Sequence, residues 1–270
     1  MTRRHPELAG KVAVVTGGSQ GIGKAAAARL AAEGATVVLF GHESGSIEAT
    51  TEELRAAGGT VHGMAGDVAV AVDVERLMGE AERVGGGIDV LVNSAGIQQY
   101  GTVADTPEDV WDRVLAVNLK GMYLAAHYAI PLMRRRGGGS IVNVSSVQAI
   151  SSQRGVAAYA ASKGGAISLT TAMAVDHARE GIRVNVVLPG SVDTPMLRAS
   201  ARRFSGGRSE DDVLANWGGE HPLGRVARAE EVGEVIAFLA SEASSFVTGA
   251  AFRVDGGLLA QLGAALPEDE

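Results

Sequence analysis

Tyr159 and Lys163 stand at i and i+4 in an Ala-rich stretch of the sequence. In a helix that spacing puts both side chains on one face, one turn apart. A free phenol has a pKa of about 10, too high for a base near neutrality. An ammonium group beside it, together with the positive ring of a bound oxidised cofactor, favours phenolate and is expected to lower that value. Ser146 closes an apolar run upstream and would turn its hydroxyl toward a substrate oxygen as charge develops there. A second cluster, Thr16-Gly17-Gly18-Ser19-Gln20-Gly21-Ile22-Gly23, joins a β-branched run to an Ala-rich one. Unpaired N–H groups and partial positive charge at a helix start there suit a pyrophosphate, and glycines allow close approach. Each feature has an ordinary competitor, a solvated helix face or a plain glycine-rich turn. The six histidines show no paired metal-ligand spacing and there is no cysteine, so no metal site is expected. His127 and His177 are expected on helices, in packing or at an interface.

The elements that must position these groups alternate in type. Short apolar runs at 11–15, 36–40, 60–64, 88–92, 140–144, 182–188 and 251–254 read as strands. Helical stretches at 21–33, 46–57, 73–84, 107–136, 155–180 and 230–239 separate them, with Pro131 expected to bend the long one. Continuous apolar strands crossed by helices imply a Rossmann-like α/β fold, a doubly wound parallel sheet of about seven strands with helices on both faces. No linker or composition shift divides the chain, so residues 1–270 are expected to form one domain with its core at about 8–260. Residues 193–221 break the rhythm as a polar stretch.

The glycine spacing, Gly-x-x-x-Gly-x-Gly, differs from the usual Gly-x-Gly-x-x-Gly fingerprint and resembles the short-chain dehydrogenase/reductase family, in its compact single-domain branch. Four further motifs agree in order and distance: Asn93-Ser94-Ala95-Gly96, Tyr159-Ala160-Ala161-Ser162-Lys163 with Ser146 upstream, Pro189-Gly190, and Val254-Asp255-Gly256-Gly257. The resemblance covers nearly all of 11–258 and implies an NAD(P)-dependent oxidoreductase that interconverts a secondary alcohol and a ketone. It implies a catalytic set of Ser146, Tyr159, Lys163 and Asn118, the last holding a water through its backbone. Ser145 is the rival of Ser146 and is read as a structural hydrogen bonder. For the dinucleotide the resemblance implies Gly17, Ser19, Gln20, Gly21, Ile22 and Gly23 at the pyrophosphate, Asp67 and Val68 at the adenine, and Asn93, Ala95 and Gly96 beside the ribose. Tyr159 and Lys163 then meet the nicotinamide ribose, and Pro189, Val192 and Thr194 the carboxamide. Ser94 departs from the family's second Asn.

Selectivity for NAD commonly needs an acid at the end of the second strand. Gly41 stands there, followed by His42 and Glu43, so the reading leans to NADP with His42 near the 2′-phosphate.

A formal charge of −7 argues against nucleic acid or an anionic membrane as partner. No run reaches the roughly 18 apolar residues of a membrane helix, and the basic start, Met1-Thr2-Arg3-Arg4-His5-Pro6, makes a poor signal peptide. A soluble cytoplasmic protein is expected. Residues 195–221 are expected to form a mobile lid over a small-molecule substrate, its arginines 198, 202, 203 and 208 paired with acids of the same stretch. Gln98, Gln99, Tyr100, Gln148, Gln153 and Trp217 are candidate pocket residues, and their amides suggest a polar hydroxy compound such as a sugar. The alternatives are a 3-oxoacyl thioester reductase and a non-catalytic NAD(P)-binding regulator. Family members assemble through the two long helices, here 107–136 and 155–180, so a homotetramer is expected.

Overall fold

A computed structural model describes residues 5–261. The basic residues 1–4 and the outer ends of the expected 1–270 unit lie outside the described residues. Seven strands form the main sheet: β1 (Val12–Thr16), β2 (Thr36–Gly41), β3 (Thr60–Ala65), β4 (Val90–Asn93), β5 (Gly139–Val144), β6 (Ile182–Pro189) and β9 (Ala251–Val254). Their order is β3-β2-β1-β4-β5-β6-β9, and every neighbouring pair is parallel.

Strand alternation feeds two cores. Val12, Val14, Val38, Phe40, Leu91 and Ile141 point to one face, where α3 (Ala71–Gly85), α5 (Gly121–Arg135) and α6 (Ala157–His177) add Leu77, Ala125 and Met173. Ala13, Val15, Val37, Leu39, Val92 and Val142 point to the other, covered by α1 (Gly21–Ala32), α2 (Ser44–Ala56) and α9 (Ala229–Ala240). Successive residues of one strand thus serve opposite layers, which is why these strands read as unbroken apolar runs.

The expected 107–136 helix is α4 (Glu108–Leu115) continued by a π-helical turn, Ala116–Lys120, into α5. Pro131 lies inside α5 and does not end it. The π turn between the two helices holds Asn118. Where α5 begins, Gly121 lies so close to Val68 that a Cβ would come within 3.0 Å of its Cγ2.

Residues 193–221 are more ordered than their polarity suggests. They contain α7 (Pro195–Arg203) and α8 (Glu210–Gly219), and a two-residue strand β7 (Val192–Asp193) pairs in parallel with β8 (Ala227–Arg228). Each helix has a side-chain cap: the Thr194 hydroxyl accepts from Leu197 N at 3.3 Å and the Ser209 hydroxyl from Asp212 N at 3.1 Å. Ala201, Val213 and Leu214 form a small separate core beneath them.

Candidate active site

β1 lies between β2 and β4, and the chain departs from it in opposite directions. At such a switch point the carboxyl ends of the strands open a crevice. Here the crevice is a cleft of about 880 Å³ that runs from the ends of β2 and β3 to those of β5 and β6.

The glycine loop forms its floor. Gly17 has φ +66°, and a Cβ there would lie 2.7 Å from Ala95 N; Gly21 has φ +53° and abuts the Thr194 methyl. Gly23 faces inward, where a Cβ would fall 2.1 Å from the Gly17 carbonyl oxygen. Helix α1 has no side-chain N-cap, so its first N–H groups stay uncommitted. A cleft of this size with an uncapped helix start at its centre fits a dinucleotide pyrophosphate.

At the other end, Tyr159 and Lys163 occupy the first turns of α6, both buried. The Tyr159 phenol neighbours the Ser146 side chain, and Lys163 Nζ lies 5.5 Å from the Tyr159 ring centroid. Lys163 is clamped by the end of β5: its Nζ donates to Val144 O at 2.8 Å, and the Ser145 hydroxyl donates to its carbonyl at 2.7 Å. Ser145 is therefore a structural bonder, as its sequence position suggested. Ser146 accepts from Gln148 N at 3.1 Å.

Lys163 by itself does not bring about the expected fall in the Tyr159 pKa. Burial pushes the phenol up to about 12, against a smaller opposing effect of the Ser146 side chain. Burial also pushes the Lys163 ammonium down to about 8. Both charged forms lose hydration in the cleft wall, and that loss is the leading cause of each shift.

Asn118 is fully buried in the π turn and does not line the cleft. Its amide brackets Ile97, accepting from Ile97 N at 2.8 Å and donating to Ile97 O at 2.9 Å. It also donates to the Ser162 hydroxyl at 3.0 Å, which donates to the Tyr159 carbonyl at 2.7 Å. Its side chain therefore ties the π turn to the helix that carries the phenol.

Among the expected dinucleotide residues, Gly17, Ser19, Gln20, Gly21, Ile22, His42, Asp67, Val68, Ala95, Gly96, Pro189, Val192 and Thr194 line the cleft. Asn93 does not: its amide crosses to Asn143 Oδ1 at 2.9 Å, and Asn143 reaches Thr170 at 2.8 Å, so it braces β4, β5 and α6. Gly23 serves loop packing instead of the cleft surface. Gln98, Tyr100, Gln148, Gln153 and Trp217 line the substrate end, whereas Gln99 is exposed outside it. Arg198 pairs with Asp193 and Asp211, and Arg202 with Glu210, so neither is a free anion clamp. Arg203 lies over the Tyr100 ring at 5.2 Å.

Among the lining residues that sequence reasoning did not single out are two polar side chains with distant partners. Arg113 of α4 donates to Asp67 Oδ2 at 2.8 Å. Burial alone would raise the Asp67 pKa, but the hydrogen bonds from Ala69 N and Arg113 together hold it low. His221 is buried beside Gly190, its Nδ1–H donating to Asp255 O at 2.7 Å. Neither shows a local pattern, because the partner lies far along the chain.

A doubly wound sheet with a dinucleotide-shaped cleft and a buried Tyr–Lys–Ser group defines a nicotinamide-dependent oxidoreductase. Comparison with known proteins agrees. Residues 17–259 match a family model described as enoyl-(acyl carrier protein) reductase. The chain is 38% identical over 253 residues to 2-(S)-hydroxypropyl-CoM dehydrogenase 3 of Xanthobacter autotrophicus, covering 94% of this chain and 98% of that protein. It superposes on ligand-free Thermoplasma acidophilum aldohexose dehydrogenase with a TM-score of 0.89 at 37% identity, covering 98% and 100% of the two chains. An actinorhodin polyketide ketoreductase variant solved with NADPH matches at a TM-score of 0.88 and 34% identity, covering 92% and 97%. The chain belongs to the short-chain dehydrogenase/reductase family, and it is an NAD(P)-dependent oxidoreductase acting on hydroxyl and keto groups. Among the described residues no helix is long and apolar enough to cross a membrane.

Proposed function

We propose that Tyr159 gives its proton to the carbonyl oxygen of a ketone during reduction and recovers it from the alcohol during oxidation. The observation that carries this reading is the buried Tyr159 phenol, with the Ser146 side chain and Lys163 Nζ beside it, at the wall of the cleft. A phenol with a pKa of about 12 is fully protonated at neutral pH, the state a proton donor needs. The Ser146 hydroxyl steadies the substrate oxygen as negative charge grows on it. Lys163 donates to the ribose hydroxyls and gives the phenolate a positive neighbour, while Asn118 holds the π turn and its backbone water site against α6. When bound, the dinucleotide supplies the hydride and, oxidised, a positive ring that favours phenolate. Tyr159→Phe should cut kcat by about 10³-fold or more and leave dinucleotide Kd nearly unchanged; undiminished turnover would sink the reading.

The cleft residues named above hold the dinucleotide, with NADP as its preferred form. Support comes from Gly41, which puts no acid at the end of β2, and from His42 beside it in the cleft lining. The substrate is a polar hydroxy compound, an aldose being the model case. Gln98, Gln148 and Gln153 at the substrate end support this, as does similarity to an aldohexose dehydrogenase. The second reading, a 3-oxoacyl thioester reductase, has the ketoreductase likeness behind it. Initial rates on aldoses, simple ketones and 3-oxoacyl thioesters separate the two, and turnover of thioesters alone would replace the first by the second.

The chain works as one unit in the cytoplasm, with residues 195–221 closing over the substrate. It assembles as a tetramer through α4–α5 and α6. A groove of about 370 Å³ between α5 and α6, lined by Tyr123, Ile130, Leu169 and Met173, supports that contact. Light scattering that gave a monomer mass would exclude it.

A further inference from the structure

Tyr159 marks the reacting end of the cleft and the glycine loop its middle. The half of the dinucleotide that does not react therefore lies over the ends of β2 and β3, at Gly41, Gly66, Asp67 and Val68. Asp67 is held there with unusual firmness for a residue at a cleft mouth. Its Oδ1 accepts from Ala69 N at 2.9 Å, its Oδ2 accepts from Arg113 Nη1 at 2.8 Å, and its own N–H donates to Asp73 Oδ2 at 3.0 Å. Each carboxylate oxygen keeps a lone pair.

An exposed ion pair usually contributes little, and this one joins side chains that are 47% and 20% exposed. Its placement is not that of a chance surface pair. Gly121 allows the helix that follows the π turn to abut Val68, and this close approach brings α4 over the ends of the strands. Arg113 and Val117, at i and i+4, then both line the cleft opposite Asp67. Among the described residues the ion pair occupies Nη1 alone, which leaves the rest of the planar fork free to donate.

We propose that Arg113 is a dinucleotide-binding residue that, with Asp67, reads the adenine edge. A carboxylate beside a guanidinium offers an acceptor next to a donor. Adenine offers the complement, an exocyclic amine next to ring-nitrogen acceptors. The pair thus recognises the base itself and not the phosphates, and it acts on affinity at the end of the cleft remote from Tyr159. The inference rests on dinucleotide use by the family and is independent of the proton-transfer roles.

The test uses uncharged adenosine, which removes attraction to phosphate, and nicotinamide mononucleotide, which lacks the base. Each displaces NADH, followed by tryptophan quenching, in the parent, Arg113→Met and Arg113→Lys. In Arg113→Met the adenosine constant should weaken about tenfold, the loss expected for one charge-assisted hydrogen bond. The mononucleotide constant should stay within twofold. Arg113→Lys, which keeps the charge but not the fork, should fall between parent and Arg113→Met. An adenosine constant unchanged in Arg113→Met overturns the proposal. So does an equal weakening of both ligands, which would make Arg113 a general support of the fold.

Discussion

The two ends of the cleft are built from different materials. The floor proposed for the pyrophosphate is backbone: an uncapped helix start and glycines packed so closely that a Cβ at Gly23 would come 2.1 Å from a carbonyl oxygen. The reacting end is side chain: a phenol, an ammonium, a hydroxyl and, behind them, a carboxamide, all withdrawn from water, the ammonium held by Val144 O and the carboxamide by Ser162. Backbone donors carry no proton that titrates, so the large displacements of acidity fall at the reacting end, with Tyr159 at about 12 and Lys163 at about 8, while at the far end hydrogen bonds hold the Asp67 carboxyl low. The comparison teaches that one end is tuned for geometry and the other for charge. Substitutions should sort accordingly.

The largest expected effect lies at the reacting end. Ser146→Ala should lower kcat by about 10²–10³-fold, the usual cost of one donor to a developing oxyanion, with dinucleotide Kd within threefold of the parent. A large change in Kd would blur the division. Next comes Gly23→Ala, whose methyl must displace the glycine loop. It should raise dinucleotide Kd at least tenfold and cost about 1–3 kcal/mol of stability from overpacking, measurable by calorimetry and urea unfolding. Tight binding after that change would mean the floor is softer than its contacts suggest.

A third prediction concerns titration. Lys163 has a folded pKa of about 8 against 10.5 in the unfolded chain. Below about pH 8 both states are protonated, and the folded one bears the cost of a buried charge. Between about 8 and 10.5 the unfolded chain binds more protons, so stability rises with pH through that window. Lys163→Met removes this dependence. The variant should exceed the parent at pH 7 by up to about 3 kcal/mol, less about 1 kcal/mol for the lost bond to Val144 O. Its advantage should vanish by pH 10.5; a pH-independent difference would place the charge in water. The smallest effect belongs to cofactor choice: NADPH should bind a few-fold tighter than NADH, and the reverse order would refute the lean drawn from Gly41.

How far the sequence could be read follows the same division. Local patterns, such as the glycine loop, Tyr159 with Lys163, and the strand runs, lie within a few residues and were legible. Ala251–Val254 was located to the residue. The direction of Asn93 was hidden, because its partner Asn143 belongs to the neighbouring strand. Arg113 was hidden for the same reason. The Tyr159 acidity was misjudged because residue spacing reports a neighbouring charge but not the loss of water around it. Helices α7 and α8 were read as irregular because apolar residues are sparse there, yet Thr194 and Ser209 mark both starts.

Those two helices have a consequence for how such a protein can change. Ala201, Val213 and Leu214 pack beneath them apart from the layers on either face of the sheet. The insert therefore has its own nucleus, and its loss of order need not propagate into the strands. On the proposed reading of residues 195–221 as the substrate lid, they can be rewritten to admit a different molecule while Tyr159 and the glycine loop stay where they are, so new selectivity is open to the chain without refolding the rest.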